Sequence, residues 1–376
     1  GLRTYNEMDD HAETRMDPAT FNPTNLDCEQ WMRVIKEAGA KYAVFTAKHH
    51  DGFAMWPSKY SDYTIKSAPY KNGEGDIVRE FVDACRKYDI KPGIYLNPSQ
   101  WRMKDFTQEE YNEYVVHQIE ELLSNYGEID YIWFDGAGSE DHEYDVPKIV
   151  ETIRRLQPNI MIFNMWDPDT RWIGNEMGIA PMSNKNIVES VGKSIYTEDT
   201  DTLDEKMFLP GECDCMLAII LHNWFYTENA RLKSLDELMG MYVYSVGRGS
   251  NMLINIGPDK EGKISEEYAN RFLEFGKAVK SLYENPIIHN ENIEYSKNEY
   301  VVTLKEPALL NTVILGEEYT DEEIESFEIY VGPEFKNKFQ KVFIGETVGH
   351  KRICQFPPMY CDRVKIVTDE KSDTHK

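Results

Sequence analysis

The sequence has no apolar run of the roughly eighteen residues that a membrane-spanning helix needs, so no span is expected. It has no Gly-x-Gly-x-x-Gly after a first strand, which removes the usual sign of a dinucleotide fold. Cysteine is scarce: Cys28, Cys85, Cys213, Cys215, Cys354 and Cys361 are the six in 376 residues, with no Cys-x-x-Cys pair and no Cys/His cluster at zinc spacing. Neither a disulfide framework nor a structural zinc site is expected. Positive charge is in deficit, with 41 Lys and Arg against 66 Asp and Glu and a formal net charge of -25. Nucleic acid and anionic membrane surfaces require a basic face, so neither is an expected partner. No signal peptide is seen; the sequence opens at Gly1 without Met, which leads us to expect a processed or trimmed terminus. Cysteine usage leaves the compartment open, with a periplasmic or secreted location favoured over the cytoplasm. The sequence sets no oligomeric state.

What is present suits a packed globular chain. Hydrophobic residues make up 41% and charged residues 28%, and aromatics reach 12%, with 23 Tyr, 16 Phe and 7 Trp. Large aromatics fill cores, and they also stack on the apolar faces of sugars. Apolar strand-like runs alternate with amphipathic helical runs. "YAVFTA" (42–47), "KPGIYLNP" (91–98), "IDYIWFDG" (129–136), "NIMIFNMW" (159–166) and the segment 251–256 read as strands. Between them, Asp76 caps a helix that turns Ile77, Val78, Phe81, Val82 and Cys85 to one face, and Thr107 caps a second that stops at Gly127. Further helices are expected before Pro158, over "SLDELMGMYVYS" and from Ser265 to Leu282. Such β-α alternation calls for a parallel sheet. Polar residues fall at several strand ends (His49, His50, Asn97, Asp135, Asn164 and Trp166), the pattern of a (β/α)8-like barrel. After about Asn285 the runs become short, β-branched and aromatic between turn residues, which predicts a C-terminal all-β sandwich. The expected division is 1–284 for the catalytic barrel and 285–376 for the sandwich, with the boundary near "YENPII".

Three stretches carry candidate chemistry. In "DYIWFDGAG", Asp135 ends an apolar strand, either as a turn carboxylate or as a nucleophile at a barrel mouth; Gly136 and Gly138 would let backbone approach a ligand. In "RWIGNEMG", Glu176 is either a solvated loop residue or the second carboxylate that glycoside hydrolysis needs, and Arg171 could hold a sugar hydroxyl or bias a carboxylate. In "KHHDGF", His49 and His50 would point to opposite faces of a regular strand, so hydrogen bonding to hydroxyls is favoured over chelation. Asp51 orients a histidine or caps the turn.

"AGAKYAVFTAKHHDGFAMWPSKYSDYTIKSAP", "DIVREFVDACRKYDIKPGIYLNPSQW", "YGEIDYIWFDGA", "RWIGNEMGIA", "YSVGRGSNMLINIGPDKEG" and "GETVGHKRICQFPP" together resemble the α-L-fucosidases of glycoside hydrolase family 29. The resemblance implies a retaining exo-hydrolase of terminal α-L-fucosyl residues, with a fucosylated oligosaccharide or glycoconjugate as partner and no cofactor or metal. It implies Asp135 as nucleophile, His49 and His50 on fucose hydroxyls, and Tyr95 near the sugar. In the branch that cleaves α-1,3 and α-1,4 linkages the acid/base lies in the GNE loop, which gives Glu176, 41 residues after Asp135, with Glu212 of "PGECDC" as runner-up. Trp56 or Trp224 would stack on the sugar, and partial burial of Glu176 beside Trp172 with the negative charge of Asp135 is expected to raise its pKa. Three departures stand out. The family's first strand, ending His-Phe-Gly, is not found; "MDDHAE", with Asp10 and His11, replaces a Glu-Trp loop; and "CMLAIILHNWF" lacks an Arg before its aromatic pair. They motivate the alternatives of a catalytically impaired fucose-binding homologue or another exo-glycosidase on the same barrel.

Overall fold

The computed structural model describes residues 16–100, 103–139, 142–192, 200–219, 224–288, 293–318, 322–333 and 338–369. In chain order the first elements are α1 (Cys28–Glu37), β1 (Tyr42–Lys48), α2 (Ile77–Lys87), β2 (Lys91–Leu96), α3 (Gln108–Asn125), β3 (Tyr131–Phe134), α4 (Val146–Leu156) and β4 (Met161–Phe163). There follow β5 (Arg171–Trp172), β6 (Ile187–Gly192), β7 (Thr200–Phe208), β8 (Gly211–Met216), β9 (Ala218–Ile219), β10 (Arg231–Leu232), α5 (Leu235–Ser245), β11 (Asn251–Asn255) and α6 (Glu266–Tyr283). The helices start where short polar side chains meet orphan backbone N–H groups. Asp27, Asp76, Thr107, Asp145, Ser234 and Ser265 each accept one, and Thr107 and Ser234 complete reciprocal boxes with Glu110 and Glu237. The expected face of α2 is buried, with Phe81 stacked on Phe45 of β1 at 5.2 Å.

The parallel strands form one sheet in the order β1-β2-β3-β4 and another in the order β11-β8-β5. An isolated parallel bridge, Phe163 to Thr170, joins β4 to the approach of β5. On the other side Asn251 of β11 donates to the Tyr42 hydroxyl of β1 at 2.5 Å, a side-chain link in place of a ladder. The described residues therefore show an α/β fold facing a common interior, not a complete barrel. The strand β8 was not foreseen, nor was α1.

The last elements are β12 (Ile293–Ser296), β13 (Glu299–Leu315), β14 (Phe327–Gly332), β15 (Gln340–Gly345) and β16 (Arg352–Thr368). The expected C-terminal β unit is antiparallel throughout, its strands hydrogen-bonded in the order β12-β13-β16-β14-β15. The β13–β16 ladder shifts register between Thr303 and Ala308 and again between Leu310 and Thr312, and such irregularities let long strands bend. Phe327, Ile329, Cys354 and Val364 anchor a separate apolar core there. The sheet is fastened to the approach and the first residue of β6. Arg352 donates to the Met182 carbonyl at 2.5 Å, and Glu322 accepts from the backbone N–H of Ile187 at 2.9 Å. The expected boundary at 284/285 falls between α6 and β12. No helix among the described residues is long and apolar enough to cross a membrane.

Candidate active site

The ends of β1, β2 and β3 bring four functional side chains together. Asp135 follows β3 directly, and its two carboxylate oxygens have separate surroundings. Oδ1 accepts from the Ala137 N–H at 2.9 Å, the local turn expected of an aspartate there. Oδ2 accepts from the Tyr95 hydroxyl and lies 3.9 Å from His50 Nε2. The turn and nucleophile readings of Asp135 are thus compatible, one oxygen for each. Gly138, at φ +81, admits no side chain because a Cβ would stand 2.8 Å from Ser99 Oγ; the close approach it permits is to Ser99.

His49 and His50 lie past the end of β1, where strand alternation no longer applies. Their rings meet edge to face at 4.3 Å between centroids, and His49 also stacks on Tyr95 at 5.7 Å and 6°. The argument from opposite faces therefore fails. One ligand-capable atom from each of His49, His50 and Asp135 falls within 4.8 Å of the others, a set that could take a cation. The hydrogen-bond network favours hydroxyl recognition. Asn97 Oδ1 accepts from the Ser99 N–H at 2.8 Å and its Nδ2 donates to the Ala137 carbonyl at 3.2 Å, which fixes the orientation of the amide. The same Nδ2 faces His50 Nδ1, which must then be the acceptor. Neutral His50 accordingly carries its proton on Nε2, the nitrogen turned toward Asp135 and any ligand beside it. Asp51 is buried, and its Oδ1 accepts from the Phe53 N–H at 3.2 Å, so it caps the turn.

Beneath these groups lies an aromatic floor. Tyr95 stacks on Trp133 at 5.3 Å, and Trp133 on Phe163 at 4.0 Å. Below it Glu212 is 3% exposed and accepts from Trp133 Nε1 at 2.8 Å, Asn251 Nδ2 at 2.8 Å and the Tyr42 hydroxyl at 2.5 Å. Burial raises its carboxyl pKa against the pull of those donors. Glu212 pairs in register with Asn251, the first residue of β11, so it sits at the opposite end of the strands from Asp135. That position and its enclosure exclude it as the runner-up acid. Its role is to tie the strands together under the floor.

Glu176 sits in the loop after β5 with φ 54, in the left-handed region unusual for a side-chain-bearing residue. It is exposed, not half-buried as expected, because the loop turns its tip to solvent. The root of the loop is fixed. Trp172 donates through Nε1 to Asp214 Oδ1 at 2.7 Å, and its backbone N–H donates to Asn164 Oδ1 at 3.0 Å. Asp214 was missed by the sequence reading; the signal was the alternation in "GECDCM", which puts Glu212 and Asp214 on one face.

Comparison with known proteins decides what these residues belong to. A family model described as alpha-L-fucosidase matches residues 3–283. The chain belongs to the α-L-fucosidase family. Alpha-L-fucosidase 1 of Arabidopsis thaliana is 31% identical to this fucosidase over 399 residues, covering 95% of this chain and 78% of the plant protein. The plasma alpha-L-fucosidase of Homo sapiens is 25% identical over 321 residues, covering 78% of this chain and 63% of the human protein. A solved structure of a glycoside hydrolase 29 family member from an unknown rumen bacterium superposes with a TM-score of 0.87 at 31% identity, covering 98% of this chain and 71% of that one.

Two expected ligands of the fucosidase lie elsewhere. Trp56 is 1% exposed, and its indole N–H donates to Glu121 of α3 at 2.9 Å, so it belongs to the core behind β1. Replacing Trp56 with Phe is expected to lower stability by about 2 kcal/mol, through lost volume and an unpaired Glu121 oxygen, while leaving KM unchanged. Denaturant unfolding beside initial-rate kinetics checks this. Arg171 points away from Trp172 and donates to Asn184 Oδ1 at 2.7 Å and the Lys185 carbonyl at 2.6 Å, so its guanidinium is taken up by the 184–185 segment and not turned to the sugar site. Phe225, beside Trp224 in sequence, reaches His49 edge to face at 5.1 Å. Its neighbour Trp224 accepts at its carbonyl from Asn255 at 2.7 Å. The departures at 8–13 lie outside the described residues, as do residues 220–223 of the segment that lacks the expected Arg.

Proposed function

We propose that the protein is a retaining exo-α-L-fucosidase that removes α-1,3- or α-1,4-linked fucose from glycans, with Asp135 as nucleophile and Glu176 as acid/base. The observation that carries the reading is the setting of Asp135 at the end of β3. One oxygen is tied into the turn, and the other is faced by the Tyr95 hydroxyl and His50 with His49 alongside. That arrangement presents one carboxylate oxygen to a sugar whose hydroxyls the imidazoles would hold. In the first step Asp135 bonds to C1 as the C1–O bond to the aglycone breaks and Glu176 gives its proton to the departing oxygen. In the second, water attacks C1, Glu176 takes its proton, and the ester bond to Asp135 breaks. Two inversions return the original anomer, and the productive complex needs the two carboxyl groups about 5 to 5.5 Å apart. The linkage preference rests on the 41-residue spacing of Asp135 and Glu176 and on the "GETVGHKRI" tail. A (β/α)8-like barrel over 1–284 and a sandwich over 285–376 complete the proposal.

The test is to follow hydrolysis of a branched α-1,3/1,4-fucosylated trisaccharide by proton NMR, with an aryl α-L-fucoside in parallel. Release of α-fucose ahead of its mutarotation, with the trisaccharide strongly preferred, is the expected result. Initial β-fucose contradicts retention, and an aryl preference contradicts the linkage assignment. Binding of fucose without release from either substrate makes the protein an impaired homologue.

A further inference from the structure

The loop that carries Glu176 leaves and returns along a single strand. At its start the Ile173 N–H donates to the Glu212 carbonyl of β8 at 3.0 Å. At its end Gly178, at φ +70, lies so close that a Cβ would stand 3.1 Å from Cys215 Cβ of the same strand and 2.8 Å from Met241 Cε. Between those two points on β8 stands Asp214, whose Oδ1 takes the Trp172 indole N–H at 2.7 Å. Asp214 is only 6% exposed. Its carboxyl is pushed up to about 7, by burial first, against the Trp172 hydrogen bond, and further by the charge of Glu176 and, less, of Glu212. The Glu176 carboxylate is therefore within electrostatic range.

We infer that Asp214 is a positioning residue for the acid/base: it fixes the Trp172 indole, and with it the root of the 173–178 loop, so that Glu176 meets the glycosidic oxygen. This rests on the assignment of Glu176 under the proposed function. Asp214 itself does not touch the reacting atoms. Its effect is confined to the proton-transfer half of the first step, whereas Asp135, Tyr95 and the histidines belong to the other half.

Two substrates separate those halves. The fucosylated trisaccharide has a leaving group that must be protonated, whereas α-L-fucosyl fluoride releases fluoride without a general acid. kcat/KM reports the first step for both. Glu176→Gln is expected to lower the trisaccharide value by about 100-fold or more and the fluoride value far less. Asp214→Ala and Trp172→Phe are each expected to lower the trisaccharide value by roughly 10-fold or more, again with a much smaller change on the fluoride. The double variant should be no worse than the lower single one, because the two changes break one contact. Asp214→Asn should recover most of the loss, since its side-chain oxygen accepts the same N–H. Selectivity in Glu176→Gln, with Asp214→Ala and Trp172→Phe lowering both substrates equally or neither, overturns the inference and leaves Glu176 in place. Absence of selectivity in Glu176→Gln removes the acid/base assignment itself. If Asp214→Ala does not fold, Trp172→Phe decides alone.

Discussion

Asp135→Asn is expected to lower kcat/KM on every α-L-fucoside by at least ~10⁴-fold, because the amide cannot form the glycosyl ester. The change is isosteric: the remaining oxygen still accepts from the Ala137 N–H, and the amide NH2 in the place of Oδ2 can donate to the Tyr95 hydroxyl oxygen, so the fold and fucose affinity should persist. A midpoint of unfolding close to the parent and retained fucose binding would document that. Asp135→Gly opens a space on the same face of the sugar. Azide supplied there should attack C1 once and yield β-fucosyl azide from an α-fucosyl donor of good leaving ability. Recovery of that product identifies the face from which Asp135 attacks. An Asp135→Asn protein within tenfold of the parent would place the nucleophile elsewhere.

Asp214 should make the fold pH-sensitive in a direction opposite to the usual carboxylate. Its folded pKa of about 7 lies above the ordinary 3.8, chiefly through burial. The folded state thus holds the proton more tightly than the unfolded state, and stability falls as pH rises through that window. The protonated side chain is fully favourable below about 3.8, and the penalty of its charge is complete above about 7. Converted by linkage, the penalty is on the order of 4 kcal/mol at pH 8. Asp214→Asn carries no such charge and should be more stable than the parent at pH 8 by an amount approaching that figure, with the difference closing toward pH 4. Glu212 contributes in the same direction through its own burial, so the variant keeps a residual slope. Urea unfolding at several pH values, with unchanged m, measures it directly. No gain at pH 8 would mean that the Asp214 charge is not buried as described.

How much of this could be read from the sequence depended on how plainly each segment showed its faces. The strands at 42–48, 91–96, 131–134 and 161–163 are dominated by apolar residues and were legible, as were the caps at Asp76 and Thr107. Strand β8 was not, because Glu212 and Asp214 alternate with cysteines and hide the apolar pattern. Strand β5, two residues long, has no periodicity to detect. The site residues followed the same logic. Asp135 was legible because it ends an apolar strand, whereas Tyr95 was reached only through the family resemblance. Trp56 and Arg171 lie near them in sequence and point away, a direction that residue type does not encode. His49 and His50 lie beside Asp135, but their mutual geometry was misjudged, since the strand stops one residue before them. The C-terminal segment announced β structure, while the irregular pairing of its long strands β13 and β16 rests on register shifts that composition does not reveal.

The most direct test of the account is to incubate the protein with 2-deoxy-2-fluoro-α-L-fucosyl fluoride and map the modified peptide by mass spectrometry. The fluorine at C2 slows both steps by destabilising the oxocarbenium-like transition state, and the fluoride leaving group restores the first, so the ester accumulates. The expected result is one fucosyl group per chain, on Asp135 in the peptide spanning "IDYIWFDG", absent from Asp135→Asn and accompanied by loss of activity in proportion to labelling. A label on Glu176 or Asp214, or inhibition with no covalent adduct, would contradict the assignment of Asp135 as the nucleophile of a retaining fucosidase.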